Sequence, residues 1–385
     1  MKRTLPAVLA LALGVAGAST AEAQDSVFGI RGLGFLDRSI SGRSAALGGG
    51  FALFDPGVAL NPASLGAWHN TAGWMVASGQ DRSFATGLGT SSLSATRFPV
   101  AGFAGLIGER WVVGITASDY LDRNWSVQQT DTVYPRGTAV VANDNTQSAG
   151  GITDLRLAAA YRVPGLTLGL GLHVLTGSTQ TSVSRQFPDD SSFIPFNQAQ
   201  TTDYRGVGVS FGAMAGPSAR LVFGASVRFN GRLRASTSSA SADIPMPIEM
   251  SGGVYWQPVT GLALSSTVGY AGWASAADAL AAAGQARSRN VWNVGLGAEL
   301  LMLKSGRNFV PLRLGYRWRG LPFPIPGDST AAPSPLAEHA VTAGLGFDTA
   351  SNRATVDLAL EFGSRTAGAL SERFTTLLLG LTIRP

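Results

Sequence analysis

Along residues 354–362, ATVDLALEF, every second side chain is apolar. Val356, Leu358, Leu360 and Phe362 fall on one face, and Thr355, Asp357, Ala359 and Glu361 on the other. A period of two marks a strand with one apolar face. The pattern recurs at 340–348, where Val341, Leu345 and Phe347 oppose Thr342, Gly344 and Asp348. It recurs at 310–319, where Leu312, Leu314, Tyr316 and Trp318 oppose Arg313, Arg317 and Arg319, and again at 221–234 and 154–163. After the first 23 residues no uncharged apolar run reaches the ~18 residues a spanning helix needs. The chain reads as all-β.

A soluble sandwich also alternates, so a second feature has to decide. Here the apolar faces are complete, while the opposite faces carry Gly, Ser, Thr and charge. That division suits lipid outside and a polar lumen inside, because hydrocarbon leaves no open strand edge unpunished. Trp74, Trp111, Trp256, Trp273, Trp292 and Trp318 lie near proposed strand ends, where interfacial girdles belong. A secreted β-sandwich or solenoid is the alternative. Short turns are read at 108–110, 164–165, 216–218, 258–261, 304–308 and 349–353. Longer links are read near 81–88, 130–150, 187–202, 236–246, 275–288, 321–337 and 365–371. Together they give an antiparallel transmembrane barrel of about 14 strands, spanning 71–385, with both chain ends on the short-turn side.

The N-terminus precedes this pattern. Lys2 and Arg3, the apolar stretch 5–18 and Ala21-Glu22-Ala23 form a signal peptide over 1–23, so the chain is exported to an outer membrane. Only 14% of residues are charged and none is Cys, which removes disulfides, thiolate metal sites and Cys nucleophiles. Net charge is +5 without a Lys/Arg cluster, so nucleic acid is not expected as a partner. Residues 24–70 lack alternation. Leu47, Phe51, Leu53 and Phe54 supply apolar surface among small residues, while Pro56 and Pro62 break any helix. Such a segment is best housed as a plug in the lumen; a periplasmic tail with a short helix is the alternative.

Arg43-Ser44-Ala45-Ala46-Leu47-Gly48-Gly49, followed by Leu60-Asn61-Pro62-Ala63-Ser64-Leu65, resembles the N-terminal hatch of the FadL-like outer-membrane superfamily. That superfamily includes long-chain fatty-acid and hydrocarbon transporters and the PorV/PorQ proteins of type IX secretion; the hatch wording is closest to the PorV/PorQ branch. The resemblance implies hatch residues Arg43, Leu47, Gly48, Gly49, Phe51, Asn61, Pro62 and Ala63. It implies passive transport of hydrophobic, fatty-acid-like molecules with gating by the hatch and lateral release through the wall. Alternatively, it implies a barrel serving protein secretion or cell-surface attachment. Outer-membrane lipid, a hydrophobic small molecule and secretion-system proteins are the corresponding partners. A wall break needs an irregular strand, and 111–129 qualifies because alternation fails around Asp119 to Arg123.

No catalytic or metal constellation emerges, and no cofactor is expected. His69, His173 and His339 lack metal spacing; His173 reads as a hydrogen-bonded filler of the lumen. Asn143-Asp144-Asn145 and Asp189-Asp190 read as solvated loops. By parity Arg156, Arg162, Arg228, Arg232, Arg234, Arg313, Arg317 and Arg319 face inward with Asp154, Glu299, Asp348, Asp357 and Glu361. Such a set either braces barrel and plug as a salt-bridge network or attracts a carboxylate head group. The Ala-rich stretch 275–288 reads as a short helix that caps the mouth or frames an apolar groove.

Overall fold

A computed structural model describes residues 27–36, 40–86, 89–134, 137, 139–188, 193–218, 220–285, 287–305, 308–324, 336–349, 353–367 and 370–385. The expected signal peptide, Asp189-Asp190 and parts of six of the seven expected long links lie outside them. In chain order the strands are β1 (Phe35–Leu36), β2 (Ala72–Thr86), β3 (Gly89–Ile107), β4 (Trp111–Asp122), β5 (Trp125–Val133) and β6 (Val140–Val163). There follow β7 (Leu166–Gln186), β8 (Phe196–Ser218), β9 (Leu221–Asn230), β10 (Arg232–Ser236), β11 (Ser241–Pro245) and β12 (Ile248–Val259). The last are β13 (Leu262–Ala271), β14 (Val291–Ser305), β15 (Asn308–Gly320), β16 (Ala337–Thr349), β17 (Ala354–Ala367) and β18 (Leu370–Ile383).

Every ladder is antiparallel, and β18 pairs with β2, so the sheet closes on itself. Fourteen strands make the wall: β2 to β4, β6 to β9 and β12 to β18. The expected count therefore holds, and all six short turns fall between the strands expected. The remaining strands are accessory. β5 continues β4 along the far part of β6, β10 and β11 form a hairpin beside β8, and β1 adds to β4. Several stretches expected as loops are sheet: β6, β7 and β8 run 24, 21 and 23 residues and project beyond the apolar band. Arg185 and Asp144 pair across that projection at 2.6 Å, and the hydrogen bonds hold the Asp144 carboxyl below its ordinary pKa.

Why the sheet turns its apolar face outward follows from what fills the middle. Leu157, Leu172, Phe211, Leu296, Leu314, Val341, Phe362 and Leu377 are exposed on the outer surface, whereas Thr116, Ser118, Ser210, Thr342 and charged residues such as Arg156, Arg317 and Glu361 are buried. Lipid is the solvent that rewards this inversion. Among the described residues no helix is long and apolar enough to cross a membrane. Trp111, Trp256 and Trp292 are exposed near strand ends as a girdle requires, and Trp111 and Trp292 pack on Tyr161 and Tyr270. Two expected girdle residues are not there. Trp74 is buried against Trp68 of the N-terminal segment, and Trp273 is buried under the far mouth.

Candidate functional site

The N-terminal segment runs through the lumen. Ser41 caps a short helix α1 (Gly42–Ala46) by accepting from the Ser44 amide. Asp55 then ties the start of this helix to the next turn, accepting from the Ser41 and Ser44 hydroxyls and from the Gly57 amide at 2.8 Å. Asn61, fully buried, accepts from the Ala63 amide and donates to the Leu53 carbonyl, each at 3.0 Å. That side chain sets the single-turn helix Pro62–Ala67, with Pro62 where its missing N–H costs nothing. Sequence made the Asn61 turn legible, because Asn-Pro announces a turn tied down by its own side chain, but the expectation that the prolines break any helix is corrected: Pro62 starts one.

The wall receives the segment at close range. Gly48 has φ +60°, and a Cβ on Gly315 of β15 would lie 2.2 Å from the Gly48 nitrogen. Only two glycines let backbone meet backbone there. Wall hydroxyls satisfy the segment's carbonyls: Thr342 donates to Ala46 at 2.9 Å, Thr267 to Gly50 at 2.8 Å and Ser226 to Leu60 at 2.8 Å. Arg43 grips Glu299 through two nitrogens at 3.0 and 2.8 Å and lies 4.1 Å above the Phe51 ring. Leu47, Leu53 and Phe54 complete an apolar cluster with Phe51. All eight hatch residues expected from the sequence are thus packed inside the barrel, most of them fully buried.

Most of the inward charges are paired, whereas Arg156 and Arg162 each keep two buried guanidinium nitrogens without a hydrogen-bond partner. Arg313 bridges Glu299 at 2.6 Å and Asp357 at 2.5 Å, so Arg43, Glu299, Arg313 and Asp357 form one chain. Arg317 donates to Glu338 at 2.9 Å and Glu361 at 3.1 Å. Arg319 and Arg365 also close on Glu338, at 2.9 and 2.7 Å. Arg228 meets Asp154 at 2.7 Å. Arg156 points inward onto the Val58 carbonyl at 3.5 Å. Arg162 reaches His69 at 2.9 Å.

Arg232 and Arg234 are a correction. They are exposed, and Leu233 between them is buried, because the period shifts at Gly231 where β9 ends and β10 starts a hairpin outside the barrel. Sequence reading also missed Glu338, Arg365 and Glu372. Extending the 340–348 alternation back by one step would have placed Glu338 beside Ala340 and Thr342. Arg365 was assigned to a loop at 365–371 that Glu372 borders, but β17 and β18 pair through to Ala367 and Leu370.

His173 is the expected buried filler. Its Nδ1 lies 2.9 Å from Asp154, and its Nε2 lies 2.8 Å from the Ser210 hydroxyl. The order Ser, His, Asp resembles a nucleophilic relay, yet Ser210 is 1% exposed and its strand pairs on both sides, with Gly171 of β7 and Arg228 of β9. Backbone amides so engaged do not form an oxyanion hole. The array braces three neighbouring strands.

Two cavities lie on either side of the N-terminal segment. One, about 770 Å³, opens at the short-turn end between Arg43, Asp55, Trp68, Trp74 and Arg384. The other, about 250 Å³, is a central chamber. Ala52, Val58 and Leu60 of the segment line it, together with Leu36 and Trp273, and its polar edge carries Tyr120, Arg228 and Glu249. Tyr120 donates to Glu249 at 2.7 Å, so that edge is internally satisfied. Above it, Trp273 and Leu280 of the stretch 273–282 bury themselves in the cluster with Phe323, Leu233 and Met246. The Ala-rich stretch caps the mouth, as expected.

The wall beside the chamber is interrupted. The β3–β4 ladder begins at Ile107–Trp111 and stops at Val100–Ser118. Phe98 and Pro99 bulge opposite Ala77 of β2, and Pro99 has no N–H to continue a ladder. β4 slips register against β6 between Asp119 and Leu121 and ends at Asp122. This is the stretch in which alternation fails. β1 occupies the edge β3 has left, Leu36 opposite Leu121 and Phe35 opposite Asp122, while Arg97 clips across to the Asp122 carboxylate.

A closed fourteen-strand barrel threaded by its own N-terminal segment, with a slipped wall strand, is a specific combination, and solved structures share the fold. A Pseudomonas aeruginosa FadL homologue matches with TM-score 0.60 at 14% identity, over 91% of this chain and 99% of its own. The fold is FadL-like. The CymD monoaromatic hydrocarbon channel matches this FadL-like barrel with TM-score 0.57 at 14% identity, over 90% and 98% of the two chains. The Pseudomonas putida toluene transporter TodX matches with TM-score 0.55 at 15% identity, also over 90% and 98%. No family model and no curated protein matches the sequence of this FadL-like chain.

Proposed function

We propose that this barrel passes small, uncharged hydrophobic molecules passively across the outer membrane, after export directed by a signal peptide at 1–23. Residues 24–70 act as the hatch and 71–385 as the barrel. Cargo enters through the apolar cluster at the capped mouth, rests in the central chamber and leaves sideways into lipid between β3 and β4. The observation that carries this reading is the edge of β4 beyond Ser118. It borders the chamber through Ser118, Asp119 and Tyr120, and a two-residue strand of the hatch region seals it. The names of the similar channels, which refer to toluene and monoaromatic hydrocarbons, point the same way.

Charge and size narrow the cargo. The lumenal arginines Arg228, Arg313, Arg317 and Arg319 each close on a carboxylate, which favours the bracing reading over a ring that attracts carboxylates. A chamber of about 250 Å³ is below the range that holds drug-sized ligands, so a compact molecule fits better than a long acyl chain. The secretion reading gains no support from the three channels named above.

The test uses the absence of cysteine in the chain. Leu36→Cys with Leu121→Cys places two thiols opposite each other across β1 and β4. Cells carrying the oxidised pair should lose toluene uptake by at least tenfold and regain it on reduction, with palmitate uptake negligible throughout. Unchanged toluene uptake in the cross-linked barrel would overturn the route.

A further inference from the structure

We propose that Arg82 forms the core of a binding site for one small monovalent anion, inside the barrel next to the wall interruption. Arg82 lies on β2 and is 2% exposed. Its Nε donates to Gln80 at 2.5 Å, but its Nη1 is buried without a hydrogen-bond partner. Two further guanidiniums, Arg365 and Arg97, line the same void as Arg82. The carboxylates nearby are engaged elsewhere, Glu372 by Arg365 and Asp122 by Arg97.

That void, of about 30 Å³, is lined by Ser78, Gln80, Arg82, Arg97, Arg365 and Thr376 on its polar side and by apolar residues including Phe35 on the other. That is room for one water or one halide ion. The chemistry of the walls separates the two. Guanidinium groups only donate. The Gln80 oxygen already accepts from Arg82, and the Thr376 hydroxyl accepts from the Gln80 amide at 2.6 Å. A water would satisfy Nη1 but could give its own hydrogens only to the Ser78 and Thr376 hydroxyls, and it would leave the Arg82 charge uncompensated. A monovalent anion accepts from every side and offsets the uncompensated guanidinium.

The position gives the ion a consequence. The same void touches Pro99, where β3 leaves β4, and Phe35 of β1, whose ring lies 4.2 Å from the Arg365 guanidinium. An anion there screens Arg82 from Arg97 and leaves Arg97 free to hold Asp122 across the interruption. It thereby favours the closed wall. This site stands apart from the transport reading and does not depend on what the barrel carries.

The experiment is a crystal of the full barrel grown in sodium bromide. One anomalous peak is expected within hydrogen-bonding distance of Arg82 Nη1, and none in Arg82→Met. In solution, chloride should raise the temperature at which the folded barrel loses its compact gel mobility, relative to gluconate, which is too large for the void. Arg82→Met should still fold and should respond equally to both salts. A void holding density without anomalous signal, or equal salt responses in the parent and Arg82→Met, would overturn the proposal.

Discussion

Two sides of the lumen treat the N-terminal segment in opposite ways. Along β13 to β17 it is held backbone to backbone at Gly48 and Gly315, by hydroxyls of Thr267 and Thr342, and by the chain Arg43–Glu299–Arg313–Asp357. Along β3 and β4 it contributes two residues of strand to an edge that the wall itself has abandoned. Opening free energy in a folded protein follows local burial and hydrogen bonding, so one side is an anchor and the other a seam. A hatch that gates needs both: without the anchor the lumen becomes an open pore, and without the seam there is no sideways path.

The largest break in this contrast comes from the anchor. Gly315→Val puts a Cβ 2.2 Å from the Gly48 nitrogen, and β15 is held in place by β14 and β16 on either side. The segment, not the wall, must yield, at about 4 kcal/mol, in the range of severe core substitutions. Planar-bilayer recordings should then detect steady ion conductance that the parent lacks; a silent Gly315→Val barrel would mean that the anchor does not hold the lumen shut.

Glu299→Ala is next. It removes the carboxylate that joins Arg43 of the segment to Arg313 of the wall and leaves the Arg43 guanidinium uncompensated, while Arg313 keeps Asp357. Breaking a buried pair on one side costs about 3 kcal/mol. The loss should appear as a lower urea midpoint with conductance still closed, since the glycine contact survives. Equal midpoints for Glu299→Ala and the parent would demote the charge chain to decoration.

The smallest global effect belongs to the seam. Phe35 is buried under the guanidiniums of Arg319 and Arg365, at 4.8 and 4.2 Å from its ring. Each such contact is worth about 1 kcal/mol, and they act on a strand of two residues. Phe35→Ala should lower the unfolding free energy read from urea melts by about 2 kcal/mol, the loss of both contacts, while hydrogen exchange at Phe35–Leu36 speeds at least tenfold. Exchange that rises only together with global unfolding would make the seam part of the anchor.

Much of this contrast was visible in the chain before folding was considered. The strand count follows from alternation and turn residues, because one face must meet lipid and each turn needs its Gly, Pro or Asn. The hatch words around Leu47 to Gly49 and Asn61 to Ala63 also predict their own local geometry, since capping and Asx turns act within a few residues. The failing alternation at Asp119 to Arg123 marked the seam. Less legible were the charges near strand ends. Arg232 was assigned inward because parity was carried through Gly231, where the chain leaves the wall; Glu338 was missed because the alternation was not carried back past 340, and Arg365 was lost to a loop that proves to be sheet.

What the sequence by itself determined is therefore local and periodic: strands, their outer and inner faces, the turns, and the caps of the buried segment. Only the tertiary structure decided which inward charges meet, because partners such as Arg43 and Glu299 lie 256 residues apart and are brought together by closure of the barrel. The same closure placed a segment strand on the edge that β3 leaves at Pro99. No pattern within either stretch encodes that meeting; it exists because a closed wall must satisfy every edge, and the nearest free backbone belongs to the chain passing inside.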